Sequence, residues 1–390
     1  MKKSLLPLAL GTFGLGISEF VMMGILPFVA RDMGVSIPEA GHLISAYALG
    51  VSVGAQIMLL GARKFPLKKV LFLLIFIYAL GNTLTGLSGS YTMMLAMRFV
   101  SGLPHGAFFG VGSIVAKRIA QEGKSAQALA FMISGMTVAN LLGVPLGAYI
   151  TNHFTWRIIF YGTGAWGVIN LLALVKFLPS QSPVPDTGLK GQFRFMKNLE
   201  PWLILIATGL GSGGVFCYYS YIAPLMTGLS GFSAGDMTWI MVLSGCSMVV
   251  GNLIGGRLSD RFRSSAVASI GYAIAGLALM MVFFYATHSM VSLSMMCISS
   301  FCLFGVSSAV QLLILQNAQG GEMMGAAFIQ IAFNMGNALG AYSGGLPIDA
   351  GMSVNYSAII GTAFLFVASL SVFIFMRKQQ LEERLEYVTV

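Results

Sequence analysis

Residues 70–80 read VLFLLIFIYAL, an uninterrupted apolar run that decides the fold class of the chain. Similar runs recur along the 390 residues, of which 56% are hydrophobic and 9% charged, with a mean hydropathy of +0.83. An average soluble domain has roughly 25% charged residues, so a water-soluble enzyme of this length is excluded. Strands of a membrane barrel alternate apolar and polar residues, whereas these runs are continuous. The composition therefore predicts an all-α integral membrane protein.

Twelve apolar segments are long enough to cross a bilayer, which takes about 20 residues per helix. The longest polar stretch, between the sixth and seventh segments, has the prolines and charges of a linker. We therefore predict a six-helix half at 1–178, a cytoplasmic linker at 179–200, a second six-helix half at 201–376 and a tail at 377–390. The predicted spans are 5–29, 41–61, 69–89, 91–114, 126–150, 157–178, 201–226, 236–257, 265–286, 290–315, 323–347 and 355–376.

Basic residues are divided unevenly between the two sides that these spans define. Of the 22 Lys and Arg residues, 19 lie in alternate loops and the tails, Arg31 and Arg157 lie on the other side, and Arg98 lies inside a span. This asymmetry, rather than a nucleic-acid groove, accounts for the net charge of +9. It predicts that both termini are cytoplasmic, in the inner membrane of a cell, and that nucleic acid is not a partner.

The chain resembles itself when it is shifted by 197 residues. At this offset Pro27 falls on Pro224 and Asn140 falls on Asn337, matches that are hard to obtain by chance. The same offset places Gly14, Gly16, Gly143 and Gly147 on Gly211, Gly213, Gly340 and Gly344. We therefore predict two halves related by a pseudo-two-fold axis along the membrane normal, an arrangement that binds substrate between the halves near the midplane.

Three sequence blocks resemble the major facilitator superfamily, and specifically its twelve-span drug:proton antiporter branch. GRLSDRF at 256–262 is similar to the superfamily's loop signature, and RFVSG at 98–102 is similar to its fourth-span block. GMTVANLLGVPLG at 135–147 resembles the antiporter block of the fifth span. Within this branch, the run FGLGISEF at 13–20 is similar to sugar-efflux proteins of the AraJ type. The resemblance covers the full length and implies export of a small molecule by alternating access.

The acidic loop signature of the family is present only in the second half. Asp260 and Arg261 follow Gly256 at the end of the eighth span, whereas Arg63 occupies the position of the acid in the first half. By the pseudo-two-fold, Asp260 should face the start of the fifth helix near Ser125, where it can accept free amide hydrogens. We therefore expect these second-half residues to form the stronger part of a gate. The alternative is a basic loop that only sets topology.

Glu19 is the only one of the 13 acidic residues that falls inside a predicted span rather than at its end, since Asp236 is the first residue of the eighth span. Because a carboxylate in hydrocarbon costs several kcal/mol unless it is paired, protonated or hydrated, we interpret Glu19 as the proton carrier. The alternative is a structural hydrogen bond to a neighbouring helix. Arg98 and His105 lie two turns apart on one face of the fourth span. Measured from the outer membrane surface, Arg98 lies less deep than Glu19 and His105 lies deeper. We expect Arg98 to tune Glu19 and His105 to share its proton, or else to be a structural cation and a packing residue.

Small residues recur every four positions in the fifth span, at Gly135, Ala139, Gly143 and Gly147, and Pro145 bends the helix. Such a stripe allows close contact with a partner helix, which we expect to be the eighth span across the interface between the halves. A tight contact would keep the substrate cavity sealed while the protein changes between its outward-open and inward-open states. Generic helix packing is the alternative.

The substrate cavity is expected among the first, fourth, seventh and tenth spans and their neighbours. Amide and aromatic side chains there suit hydroxyl-rich ligands; the candidates are Asn140, Tyr218, Tyr219, Tyr221, Gln311, Gln330, Asn334 and Asn337. We expect a proton-coupled antiporter that exports small neutral sugars or related compounds. The alternatives are a multidrug:proton antiporter, a proton-independent facilitator, and a receptor or sensor without transport.

The remaining residues predict little further chemistry. The four cysteines lie in apolar stretches without metal-ligand spacing, so we expect no metal and no cofactor, with the proton as coupling ion. The short loops leave no room for a catalytic domain, so we do not expect an enzyme. The expected partners are a small-molecule substrate, protons and membrane lipid, and the expected state is a monomer.

Overall fold

A computed structural model describes residues 2–35, 37–62, 64–185 and 188–389, and none of the described residues is in a strand. The first half contains α1 (Lys2–Met33), α2 (Ile37–Ala62), α3 (Leu67–Gly86), α4 (Tyr91–Ile119), α5 (Ser125–His153) and α6 (Arg157–Phe177). The rest contains α7 (Gly188–Gln192), α8 (Leu199–Tyr219), α9 (Ile222–Gly228), α10 (Met237–Arg261), α11 (Ser264–Tyr285), α12 (Ser289–Gly305), α13 (Ser307–Asn317), α14 (Glu322–Asp349) and α15 (Tyr356–Thr389). The predicted all-α fold is confirmed.

The long helices correspond to the twelve predicted spans. Within the described ranges, eleven segments are long and apolar enough to cross a membrane, and the 28-residue α14 is the twelfth. The seventh span consists of α8 and α9, and the tenth consists of α12 and α13. Pro224 explains the first break, because proline has no N–H to bond the carbonyl of Ser220, which lies between α8 and α9.

The predicted repeat is visible in the backbone at two helix ends. Gly34, after α1, has a φ of 66°, and Gly231, after α9, has a φ of 78°. Gly123, before α5, and Gly320, before α14, have φ values of 70° and 76°. Glycine adopts this left-handed conformation without the strain that a side chain would bring. Within each pair the two glycines are 197 residues apart, so equivalent turns have the same backbone conformation.

The contacts of the chain divide it into two units, each with its own set of packed helices. Unit one comprises Met1–Arg194 and Gln319–Ile331, and unit two comprises Phe195–Ala318 and Ala332–Val390. In unit one, α1 packs along α5, and in unit two α8 packs against both α14 and α15. The first part of α14 is therefore grouped with unit one, and the remainder with unit two.

Glycines set the close approach of the first helix in each unit to its partner. A methyl group added at Gly16 in α1 would lie 2.7 Å from the Cβ of Ala139 in α5. A methyl group added at Gly213 in α8 would lie 2.8 Å from the carbonyl oxygen of Gly336 in α14. Each residue of the second pair follows its counterpart by 197 positions, so the two units repeat the same contact.

The offset changes by one residue in the fourth span. In unit one, Gly54 of α2 lies against the backbone of Leu103 in α4. Its equivalent, Gly251 of α10, lies against the backbone of Phe301 rather than Ser300. The predicted offset of 197 is therefore wrong in this helix, where 198 residues separate equivalent positions.

The glycine stripe of α5 contacts α1. Gly135 lies against the carbonyl of Ala9, and methyl groups added at Gly143 and Gly147 would contact Val21, at 3.7 Å and 2.7 Å. The eighth span was therefore the wrong partner for this stripe. Periodicity identified the contact face correctly, but it carries no information on which helix lies opposite. Pro145, on the same helix, is partly exposed and lies within α5 without interrupting it.

Candidate functional site

Glu19 of α1 and His105 of α4 face each other inside unit one. The His105 Nε2 atom lies 3.9 Å from the Glu19 Oε2 atom. The His105 side chain is fully buried, whereas 12% of the Glu19 side chain is exposed. Among the residues that the structure describes, neither of these two atoms has a hydrogen-bond partner. The distance is too long for a hydrogen bond, but a small movement of the Glu19 side chain would close it.

Tyr47 of α2 determines which nitrogen of His105 carries a proton. Its hydroxyl oxygen lies 2.9 Å from His105 Nδ1 and 3.2 Å from the carbonyl oxygen of Leu15. The carbonyl can only accept, so both contacts are satisfied when the hydroxyl donates to Leu15 and Nδ1–H donates to the hydroxyl. In the neutral imidazole, Nε2 is then an acceptor, and it faces Glu19. A protonated Glu19 is the matching donor.

Arg98 of α4 holds the segment of α1 that carries Glu19. Its Nη1 atom donates to the carbonyl oxygen of Ser18 at 2.9 Å, and its Nε atom donates to that of Leu43 at 3.3 Å. The guanidinium carbon also lies 4.4 Å from the centre of the Tyr47 ring. Arg98 and Glu19 are both among the described residues, and no nitrogen of Arg98 lies within 4.0 Å of the Glu19 carboxylate. Arg98 therefore reaches Glu19 through its neighbour Ser18 rather than as a direct ion pair.

Residues of α3 form a second layer behind this site. The hydroxyl of Ser18 donates to Asn82 Oδ1 at 2.8 Å, and Asn82 Nδ2 donates to the carbonyl of Tyr78 at 2.9 Å. The hydroxyl of Tyr78 donates to the carbonyl of Gly14 at 2.8 Å. Three neighbouring helices, α2, α3 and α4, thus hold the backbone of α1 around Glu19 through buried hydrogen bonds.

Glycines of α4 bring α2 close enough for Tyr47 to reach His105. A methyl group added at Gly102 would lie 3.2 Å from the backbone nitrogen of Val51, and one added at Gly106 would lie 2.9 Å from the Cβ of Ala55. Larger residues at these positions would push the two helices apart. The run SGLPHG at 101–106 therefore positions the histidine as well as supplying it.

The ionisable cluster has no counterpart at the equivalent positions of unit two. At the offset of 197, Glu19 corresponds to Phe216 and Tyr47 corresponds to Ser244. At the fourth-span offset of 198, His105 corresponds to Leu303. The Ser244 hydroxyl instead lies 2.8 Å from that of Ser300. The repeat therefore supplies one scaffold twice, and the titratable groups occupy only the first copy.

The residues predicted to line the substrate cavity are divided between the units. Asn140 and Gln330 belong to unit one, whereas Tyr218, Tyr219, Tyr221, Gln311, Asn334 and Asn337 belong to unit two. Tyr218 is fully buried. The hydroxyl of Tyr221 donates to the carbonyl of Ala341 at 2.8 Å, and Tyr219 accepts from the Ser244 hydroxyl at 3.4 Å. Asn140, Asn334 and Asn337 are partly exposed.

The predicted gate residues lie in the last two turns of α10. Gly256 is buried, Asp260 is partly exposed, and Arg261 is exposed with its guanidinium carbon 5.6 Å from the centre of the Phe262 ring. The equivalent position in the first half, Arg63, lies outside the described residues. The role of these residues as a gate stays a prediction.

The sequence did not point to Tyr47, Ser18 or Asn82 as parts of the site. Tyrosine, serine and asparagine all occur singly in membrane helices, and no spacing marked these three. A possible signal was the adjacency of Ser18 to Glu19, because a hydroxyl next to a buried acid can bind its neighbouring cation.

A twelve-span helical protein built from two repeats, with ionisable groups inside one repeat, has the architecture of a secondary transporter. Residues 8–341 match the family described as Major Facilitator Superfamily, and the chain belongs to this family. It is 45% identical to AraJ of Escherichia coli (strain K12) over 377 residues, and the aligned region covers 97% of this chain and 96% of AraJ. It is 35% identical over 376 residues to the inner membrane transport protein YdhP of the same strain, covering 96% of each chain.

Solved structures share the fold at low sequence identity. The human organic anion transporter MFSD10 (TETRAN) superposes with a TM-score of 0.76 at 15% identity, covering 96% of this chain and 99% of that one. The E. coli fucose:proton symporter FucP superposes with a TM-score of 0.77 at 16% identity, covering 95% and 98%. These structures share the fold, and membership of the family makes the chain a multi-pass membrane transporter.

Proposed function

We propose that this transporter exports small neutral sugars or related compounds in exchange for protons. The Glu19–His105 pair carries the proposal, because a partly accessible acid faces a buried imidazole acceptor at 3.9 Å. Intramembrane ionisable groups of this kind mark proton pathways in transporters. Export would use the proton gradient: Glu19 would bind a proton from the periplasmic side and release it to the cytoplasm.

Proton loading changes what Glu19 can bind. When it is protonated, Glu19 is neutral and can donate to His105 Nε2. When it is ionised, it attracts the Arg98 guanidinium, which is already fixed to the carbonyls of Ser18 and Leu43. The two charge states thus favour different side-chain positions within one rigid frame. Alternating access requires such a difference, since a ligand shifts a conformational equilibrium only through unequal affinity for its states.

The substrate-binding part of the proposal depends on residues predicted from the sequence. Amides such as Asn140 and Gln311 can bond to hydroxyl groups of a neutral sugar in both donor and acceptor directions. The resemblance of this sequence to sugar-efflux proteins supports a small neutral sugar as the substrate. Asp260 and Arg261 are proposed to bias the cytoplasmic gate.

An aromatic cluster in unit two favours a second candidate function, multidrug:proton antiport of lipophilic compounds. The ring of Phe216 lies 5.8 Å from that of Tyr219 and 6.3 Å from that of Phe333, measured between centres. Phe304 lies 6.2 Å from Phe333. Aromatic faces bind lipophilic cations through cation–π attraction as well as apolar contact.

A two-stage experiment separates these candidates. Thermal unfolding of the purified protein is measured with pentoses, β-galactosides and lipophilic cations, and the compounds that stabilise it are retained. Each is then added to proteoliposomes that contain a pH-sensitive dye. Sugar-induced alkalinisation of the lumen supports the proposal, and alkalinisation by lipophilic cations alone supports the second candidate. Substrate uptake without any pH change would contradict both and indicate a facilitator.

A further inference from the structure

The two units carry apolar surface grooves at equivalent positions. The groove of unit one has a volume of about 360 Å³ and lies between α2 and α3. The groove of unit two has a volume of about 350 Å³ and lies between α10 and α11, with α12 at its base. Every residue that lines the first groove has its equivalent, 197 positions later, in the lining of the second. The repeat therefore preserves the shape of a surface groove as well as the helix packing.

The groove walls face the lipid rather than the interior of the protein. Leu73 in the first groove is 52% exposed, and its equivalent Ile270 in the second is 59% exposed. Both lie within segments long and apolar enough to cross the membrane. In the membrane, side chains of this kind contact acyl chains. A concave apolar surface within a membrane-spanning segment is complementary to a flexible hydrocarbon chain.

Positive charge lies at one end of both grooves. Phe65 and its equivalent Phe262, each more than half exposed, lie at that end. In unit one the exposed Lys69 contributes to the groove wall itself. In unit two the Arg261 guanidinium carbon lies 5.6 Å from the centre of the Phe262 ring. An apolar groove that ends at a cation is complementary to a molecule with a hydrocarbon chain and an anionic head.

We propose that each groove binds an acyl chain of an anionic phospholipid, with the lipid phosphate at the basic end. Lys69 would contact the headgroup in unit one, and Arg261 would contact it in unit two. Basic residues near a membrane surface attract anionic lipids. The proposal does not depend on proton coupling or on the identity of the transported substrate.

The first test fills the grooves. Purified protein is released from nanodiscs that contain equal amounts of phosphatidylglycerol and phosphatidylcholine, and retained lipids are counted by native mass spectrometry. Leu73→Trp and Ile270→Trp should each remove one retained phosphatidylglycerol, and the double variant should remove both. The matched controls are Leu80→Trp and Leu277→Trp, which lie about two turns further along the same helices, outside the grooves. They are expected to retain lipid as the wild type does.

The second test removes charge without changing the groove shape. Lys69→Gln should lower the ratio of retained phosphatidylglycerol to phosphatidylcholine about fivefold for unit one, the factor expected for one basic contact at a membrane surface. This exposed position is not expected to affect folding, which the thermal unfolding midpoint checks. Retention of both lipids by the double tryptophan variant would overturn the proposal. Equal retention of the two lipids by the wild type would overturn its anionic specificity.

Discussion

The Nε2 atom of His105 lies 3.9 Å from the Oε2 atom of Glu19, and the imidazole is the better fixed of the two groups. Its Nδ1 contacts the Tyr47 hydroxyl at 2.9 Å, and its ring stacks on Phe109 with 5.4 Å between centres. Glu19 has no such restraint on Oε2 and is partly exposed. The imidazole is therefore held in one position, and of the two side chains only that of Glu19 is partly exposed.

Tyr47→Phe tests the fixed tautomer of His105. Without the hydroxyl, Nδ1 loses its partner and either ring nitrogen can carry the proton. We expect a transport rate about fivefold lower, corresponding to loss of one hydrogen bond of about 1 kcal/mol, and a changed pH dependence of transport. The control is Tyr91→Phe in α4, the helix of His105, because the Tyr91 hydroxyl donates to the carbonyl of Glu39 instead. An unchanged pH profile in Tyr47→Phe would show that the tautomer is irrelevant to coupling.

Arg98→Gln tests whether the arginine holds the site together. The change removes the charged donor that bonds the carbonyls of Ser18 and Leu43 in addition to their helical hydrogen bonds, and each lost bond to a charged group costs about 1.5–3 kcal/mol. We expect a clear fall in the thermal unfolding midpoint in detergent. Arg118→Gln is the matched control, because Arg118 is an exposed arginine of the same helix, and a change of about 0.5 kcal/mol or less is expected. Equal midpoints for the two variants would contradict the anchoring role.

Gly135→Ala tests the contact between α1 and α5. The added methyl group would meet the backbone of Ala9 and lie 2.7 Å from the backbone nitrogen of Phe13, so the helices must separate. We expect destabilisation of about 1–3 kcal/mol from overpacking. Gly162→Ala in α6 has no atom within 4 Å of the new methyl group and should be neutral or slightly stabilising. Unfolding midpoints of the two variants give the comparison, and a Gly135→Ala protein as stable as Gly162→Ala would contradict close packing here.

Asp260→Asn tests the predicted gate. Loss of a charge–dipole contact removes about 1 kcal/mol, which changes a two-state population severalfold. We expect slower transport and greater cytoplasmic accessibility of a cysteine placed in the substrate cavity, measured by the rate of maleimide labelling. Arg63→Asp should act in the opposite direction. If neither rate nor labelling changes in Asp260→Asn, the acidic loop only sets topology.

The sequence predicted the helices and the central acid, because both depend on local signals. Apolar runs define spans, and an acid such as Glu19 is conspicuous in an apolar helix. The partners of Arg98 could not be predicted, since they are backbone carbonyls that no residue type marks. The α5 stripe was assigned to the wrong helix because spacing reveals a face but not its neighbour. The break at Ser220 had a sequence signal in Pro224, four residues later, as proline disrupts the bond to that carbonyl.

The central claim is that Glu19 carries the coupled proton, and Glu19→Gln in proteoliposomes tests it most directly. The amide keeps the size of the side chain but cannot release a proton. With a pH-sensitive dye in the lumen, we predict substrate-induced alkalinisation for the wild type and for Glu122→Gln, an exposed loop acid used as control. Glu19→Gln should show no alkalinisation while it still exchanges labelled substrate across the membrane within about twofold of the wild-type rate, because its binding residues are unchanged. Alkalinisation by Glu19→Gln at the wild-type rate and with the same pH dependence would contradict the claim and place the proton carrier elsewhere.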